Sequence, residues 1–136
     1  QTPGVAQYNA WMVESAIRGE PFSVWVREDT RHAILYYKDA AAAAIQLSGA
    51  PAEALSGAVY VVTSGHPSPS AGELADAVRR QIPDADISFG PDPERQRVLD
   101  DVERPIDDSA ARNDWGFSPQ FGLDEMVADM RETVET

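Results

Sequence analysis

The 136-residue sequence predicts a mixed α/β fold with about four helices and four or five short strands. Apolar residues recur at helical spacing in several windows, most clearly at Leu74, Ala77, Val78 and Ile82 and at Leu123, Met126, Val127, Met130 and Val134. Between such windows, Ala58-Val59-Tyr60-Val61-Val62-Thr63 is a continuous β-branched run of the kind that lies inside a sheet. Glycine and proline punctuate the joints.

After a turn at residues 2–4, Tyr8, Trp11, Met12 and Ala16 line one face of a helix over 5–18, which Gly19 ends. Residues 22–26 read as a strand buried on both sides, and 33–37 as a second strand after a polar turn. Asp39 is the expected cap of a helix over 40–47, whose consecutive alanines let another backbone approach closely. A linker at 49–57 leads to the strand at 58–63 and a turn at 64–67. The next helix has two possible starts, Ser70 with Glu73 closing a capping box, or Ser68 with Pro69 in the first helical position. The second is preferred because proline suits that place. Pro83 ends the helix, 87–89 is a short strand, and 94–104 reads as loop with one helical turn at most. Asp107 then caps a short helix that Gly116 stops in the left-handed region, with Trp115 and Phe117 pinning the stop to a core. A last helix covers 123–134. Trp11, Trp25 and Trp115 all sit in apolar patterns and are expected in the core.

The length suits one domain, 1–136, able to bury roughly two-thirds of its unfolded surface. With 11 basic and 23 acidic residues the formal charge is −12, which repels phosphate backbones and argues against a nucleic-acid partner. The absence of cysteine removes disulfides, thiol nucleophiles and cysteine metal sites, and suits a reducing cytoplasm, the expected location. No apolar run reaches the roughly 20 residues of a membrane span, so no membrane partner is expected. His32 and His66 lack a patterned partner, so no metal site is expected either. Gln1 opens the chain in place of methionine, which reads as a piece of something longer; a processed or engineered start on a complete small protein is the alternative.

The run Asp107-Asp108-Ser109-Ala110-Ala111-Arg112-Asn113-Asp114-Trp115-Gly116-Phe117 resembles a string near the C-terminus of L-threonine dehydrogenases, extended short-chain dehydrogenases of the NAD-dependent epimerase/dehydratase group. Three more stretches follow that pattern in order. Thr30-Arg31, then Ala33 to Ala40, resembles T-R-x-P-M-M-Y-M-x-D-A. Tyr60 and Thr63, with Ser68-Pro69 before a helix and Pro83 after it, resemble Y-N-I-T, T-P and the helix-ending proline. Pro91-Asp92 with Arg95-Gln96 resembles P-D-x-R-Q, one residue further apart.

The resemblance implies a protein that begins with a Rossmann domain holding NAD, with NADP an alternative, and a Tyr-x-x-x-Lys catalytic pair. A smaller C-terminal lobe then closes over the substrate. This chain has no G-x-x-G-x-x-G, and Lys38, its only lysine, cannot complete Tyr-x-x-x-Lys with Tyr36 or Tyr37. It corresponds to the C-terminal substrate lobe, without catalytic or cofactor-binding residues of its own, and is expected to be inactive alone. Its implied partners are a small-molecule substrate and the missing Rossmann domain, and a homo-oligomer is expected. The function implied is oxidation of a hydroxyl on a small polar substrate; a sugar-acid dehydrogenase lobe, a nucleotide-sugar epimerase lobe and a non-catalytic, self-associating module are the alternatives.

Four residues carry the substrate-binding expectation. Tyr8 matches the tyrosine of T-T-D-Y, a substrate loop whose other positions are Val5, Ala6 and Gln7 here. Arg31 matches an arginine near the substrate phosphates of UDP-sugar epimerases, or else pairs with Glu28 or Asp29. Arg95 and Arg104, with Arg97, offer forks to a carboxylate or phosphate, or else neutralise Asp100, Asp101 and Glu103. The family's S-W-P is Asp101-Val102-Glu103, which removes a tryptophan from the substrate side and leaves the substrate open. His66 is either an acid or base in the cleft or an exposed turn residue.

Overall fold

The computed structural model describes residues 4–134; Thr2 and Pro3 of the expected turn lie outside them. The chain divides into two compact units, 1–32 with 69–103 and 123–136, and 33–68 with 104–122.

The first unit holds α1 (Tyr8–Ile17), β1 (Phe22–Val24), α3 (Ala71–Gln81), β2 (Ile87–Phe89), α4 (Pro93–Val102) and α6 (Leu123–Val134). β1 and β2 pair in parallel, Phe22 opposite Ile87 and Val24 opposite Phe89. Three helices meet beside them: α3 packs on α6 and α1, and α1 packs on α6 and β1. Tyr8, Met12, Val13, Val24, Leu74, Val78 and Val127 are fully buried there, with Trp25 close behind. Trp11 is an exception to the expected core, being 38 % exposed, because it lies at the edge of Trp25 instead of beneath it.

Local chemistry decides where these helices start. Ser70 Oγ accepts from the Glu73 amide while the Glu73 carboxylate accepts from the Ser70 amide, a reciprocal box that starts α3 at Ala71. This corrects the preferred start at Ser68: the Pro69 carbonyl accepts from the His32 amide, which keeps Pro69 outside the helix. Gly72 follows because the chain at Glu28 leaves no room there; a Cβ would meet Glu28 Cγ at 2.7 Å. The loop with at most one helical turn expected over 94–104 is also corrected: the chain is helical through Val102. Asp92 accepts from the amides of Glu94 and Arg95, and Pro93 occupies the first helical position. Only Gln96 and Leu99 of α4 are buried, so its apolar stripe is nearly absent.

The second unit holds α2 (Tyr37–Gly49) and α5 (Ser109–Trp115). Ala43, Ala111 and Phe117 form its core, with Leu35, Tyr60, Val62 and Trp115 packed against them. Gly116 at φ +73° stops α5 as expected, and the Phe117 amide returns to the Ala111 carbonyl. The short helix is therefore locked to the core on both sides of its stop.

The α/β class holds, with six helices and two strands among the described residues. The expected strands at 33–37 and 58–63 form no ladder: Tyr37 already belongs to α2, 33–36 and 58–63 are without regular structure, and just past the second the Ser64 amide donates to the Ile34 carbonyl. The expected place of 58–63 inside a sheet is corrected: Tyr60 and Val62 face the core, whereas Val59 is 84 % exposed and Val61 50 %, so the run is buried on one side only. Asp39 is corrected as well. The helix begins three residues earlier than expected, at Tyr37, and the buried Asp39 carboxylate accepts instead from the amides of Gln120 (2.9 Å) and Phe121 (3.0 Å).

Asp108, also buried, closes the amino end of α5. It accepts from Arg112 Nε at 2.9 Å and pairs with His66 Nε2 at 2.8 Å, while Asp107 accepts from the Ser109 amide. His66 is exposed in its bend, as the turn reading had it, and from there also pairs with a buried carboxylate. The Arg112 bond holds the Asp108 carboxyl below the usual aspartate range against the opposing effect of burial, and His66 adds to it.

Two outcomes follow. Asp39→Ala takes the acceptor from two part-buried amides and lowers stability by about 1–3 kcal/mol in urea unfolding; no measurable loss contradicts the assignment. The folded chain takes up the Asp108 proton less readily than the unfolded chain. Its stabilisation is complete above the ordinary aspartate range and fades as pH falls below about 4. Asp108→Asn should flatten that acid limb in melts run from neutral pH downward.

Candidate functional site

Trp25 is the centre of the first unit's candidate site. It follows β1, and its indole donates to the Val5 carbonyl at 2.9 Å. The rings of Tyr8, Trp11 and Phe22 meet it edge-on at 5.7–6.4 Å. The Arg95 guanidinium lies over it at 4.7 Å, in cation–π range. Two of the four sequence-predicted residues, Tyr8 and Arg95, are thereby brought together on one indole. Tyr8 is buried, and burial, aided by the Glu103 charge, raises its pKa far above the usual phenol value. At working pH it is a neutral hydroxyl.

Arg31 lies elsewhere in the unit. Its two Nη atoms donate to the two oxygens of Glu73 at 3.1 and 3.2 Å, a partner not foreseen from the sequence. An open cleft of about 420 Å³ adjoins it, lined also by Glu28, Asp29 and Asp76. Three carboxylates beside an arginine already paired to a fourth make poor surroundings for a phosphate. Arg104 falls in the second unit and is exposed.

A polar network missing from the sequence reading runs beside this. The Gln96 carbonyl accepts from the Arg27 amide (2.7 Å) and the Thr30 hydroxyl (3.1 Å), and its amide donates to Asp100 (2.8 Å). Arg27 places both Nη atoms on Asp100 at 3.1 Å and Nε on Asp29. Its bond to Asp100 lowers that carboxyl, assisted by Gln96. Next to Thr30, His32 Nδ1 lies 2.9 Å from Glu103. Glu103 had been grouped with Asp100 and Asp101 as charge awaiting an arginine; nothing in a linear charge run marks it as the partner of a histidine 71 positions away.

A pyrophosphate seats on the bare amides of a glycine-rich turn at a helix start. Here the starts of α3, α4 and α5 are already taken by Ser70 with Glu73, by Asp92 and by Asp107. Among the described residues no group of three or more metal-binding side chains occurs, and no helix is long and apolar enough to cross a membrane.

No family model matches the chain. Curated relatives do. It is 32 % identical over 127 residues to the mitochondrial L-threonine 3-dehydrogenase of Bos taurus, covering 93 % of this chain and 34 % of that protein. It is 29 % identical to an epimerase/dehydratase of Staphylococcus saprophyticus, covering 97 % of this chain and 41 % of the relative. Among solved structures, the L-threonine dehydrogenase of Cupriavidus necator superposes with a TM-score of 0.85 at 36 % identity, over 98 % of this chain and 48 % of that one. The chain spans between about a third and a half of the length of the relatives it matches. Its homologues are L-threonine 3-dehydrogenases and epimerase/dehydratase family proteins, and what it matches is the C-terminal portion of their longer chains.

Proposed function

We propose that this chain is the substrate-binding part of a cytoplasmic NAD-dependent oxidoreductase that oxidises a hydroxyl on a small polar substrate. The observation that carries the reading is the agreement of sequence and fold with an L-threonine dehydrogenase over nearly the whole chain. NAD, or NADP, is held by a preceding nucleotide-binding domain and accepts the hydride. This chain's residues orient the substrate and exclude water, as a closing lobe does. The buried Tyr8 hydroxyl and the Trp25–Arg95 stack supply a firm, partly apolar wall for that task.

The second unit's surface supports a covering partner. Tyr37 (58 % exposed) and Ile45 (72 %) project from α2, and Val59 and Val61 from the extended segment, an unusual amount of large apolar surface for a small unit. The nucleotide-binding domain is the proposed cover, and self-association replaces it when that domain is absent. In light scattering the isolated chain should run as a dimer or larger; a monomer that binds no apolar dye contradicts this.

The activity test joins the chain to the nucleotide-binding part encoded upstream and follows NAD reduction with L-threonine and with erythronate. Turnover of one of them by the joined protein, and none by this chain alone, is the expected result. Lack of turnover with either by a folded, NAD-binding joined protein counts against the reading.

A further inference from the structure

We propose that Gln96 is a positioning residue: it sets the rotation of α4 about its axis and so keeps the Arg95 guanidinium stacked on Trp25 in the substrate-facing wall. The proposal rests on the substrate-binding reading above and names what holds that wall in shape. The ladder of β1 and β2 ends at Val24 and Phe89, but the two chains go on bonding beyond it. The Gly90 amide donates to the Val24 carbonyl and the Asp92 amide to the Trp25 carbonyl, each at 2.9 Å. At Pro93 the second chain turns into α4, whose first free amides are taken by the Asp92 carboxylate. Gln96 then continues the pairing with its side chain, the carbonyl accepting from the Arg27 amide at 2.7 Å.

α4 is therefore tied to the chain after β1 at two places, Trp25 and Arg27. One tie would let the helix pivot; two fix its rotation. Consecutive residues of a helix point about 100° apart, so with Gln96 turned onto Arg27, Arg95 is turned onto the indole, 4.7 Å from its centre. Position 96 requires an amide. The side chain is buried, its carbonyl also accepts from the Thr30 hydroxyl, and its amide donates to Asp100, whose carboxylate holds the Arg27 guanidinium. An apolar side chain of similar length leaves the Arg27 amide, Thr30 and Asp100 without these partners. A glutamate keeps an acceptor for Arg27 and Thr30 but sets a second carboxylate against Asp100.

The test is NMR of the 136-residue chain, reading the Arg95 side-chain protons, which the face of an indole shifts upfield. Gln96→Met and Gln96→Glu should each return these signals at least halfway to the values of a free arginine, while the methyl signals of Leu74 and Val78 stay in place. Adding Asp100→Asn to Gln96→Glu restores a donor and an acceptor between the two positions with their places exchanged, and should bring the Arg95 signals back. In the joined protein Gln96→Met should raise KM about fivefold and leave kcat within about twofold, a loss of binding alone. Arg95 signals that stay put in a folded Gln96→Met variant, a double variant no better than Gln96→Glu, or a displaced Arg95 with KM unchanged overturns the proposal. If Gln96→Met fails to fold, Gln96→Glu with and without Asp100→Asn decides. No turnover by the unsubstituted joined protein, with the NMR shifts as expected, overturns the oxidoreductase reading alone.

Discussion

An excess of carboxylates has to be placed where something holds it, and that constraint shapes both units. The chain carries 23 acidic residues against 11 basic ones. Three of those carboxylates sit at helix starts, where bare amides await an acceptor: Glu73 at α3, Asp92 at α4, Asp107 at α5. Others take up the guanidinium forks, Arg27 on Asp100, Arg80 on Asp124 and Arg112 on Asp108. Asp39 instead draws two amides of a loop. These pairs commit the starts of α3, α4 and α5, and the arginines named, to the protein's own anions.

The functional consequence is a division of labour. A nucleotide cofactor needs bare amides at a helix start, and the acidic caps of α3, α4 and α5 fill theirs from within. The first unit offers aromatic and cationic side chains instead: the Trp25 indole flanked by Tyr8 and Arg95. These are means of shaping and orienting a small ligand, and they agree with a chain that matches the C-terminal portion of longer dehydrogenases.

Sequence patterns reported what depends on neighbours along the chain and lost what depends on neighbours across it. Gly116, the stripe of α6 and the β2 run were legible because a left-handed stop, a helical period and a short apolar strand are local. α4 was not legible: its inward face is made by Gln96, whose burial is compensated by Arg27, Thr30 and Asp100, and no hydrophobic period announces such a face. The run at 58–63, read as continuous and inside a sheet, has neither a ladder nor two buried faces, since β-branched composition reports strand propensity and not whether a second strand or a second core lies beside it. Arg31 and Glu103 show the same limit at the candidate site. Each was legible as a charge, but their partners Glu73 and His32 are far away in sequence.

The measurement that bears most directly on the central claim is titration calorimetry of this chain with NAD. If the starts of α3, α4 and α5 are closed to phosphate by the chain's own carboxylates and its role is to hold substrate, NAD at millimolar concentration should give no binding heat. A saturable NAD isotherm with a dissociation constant well below 1 mM would mean that the chain carries a nucleotide site of its own, and would contradict the account.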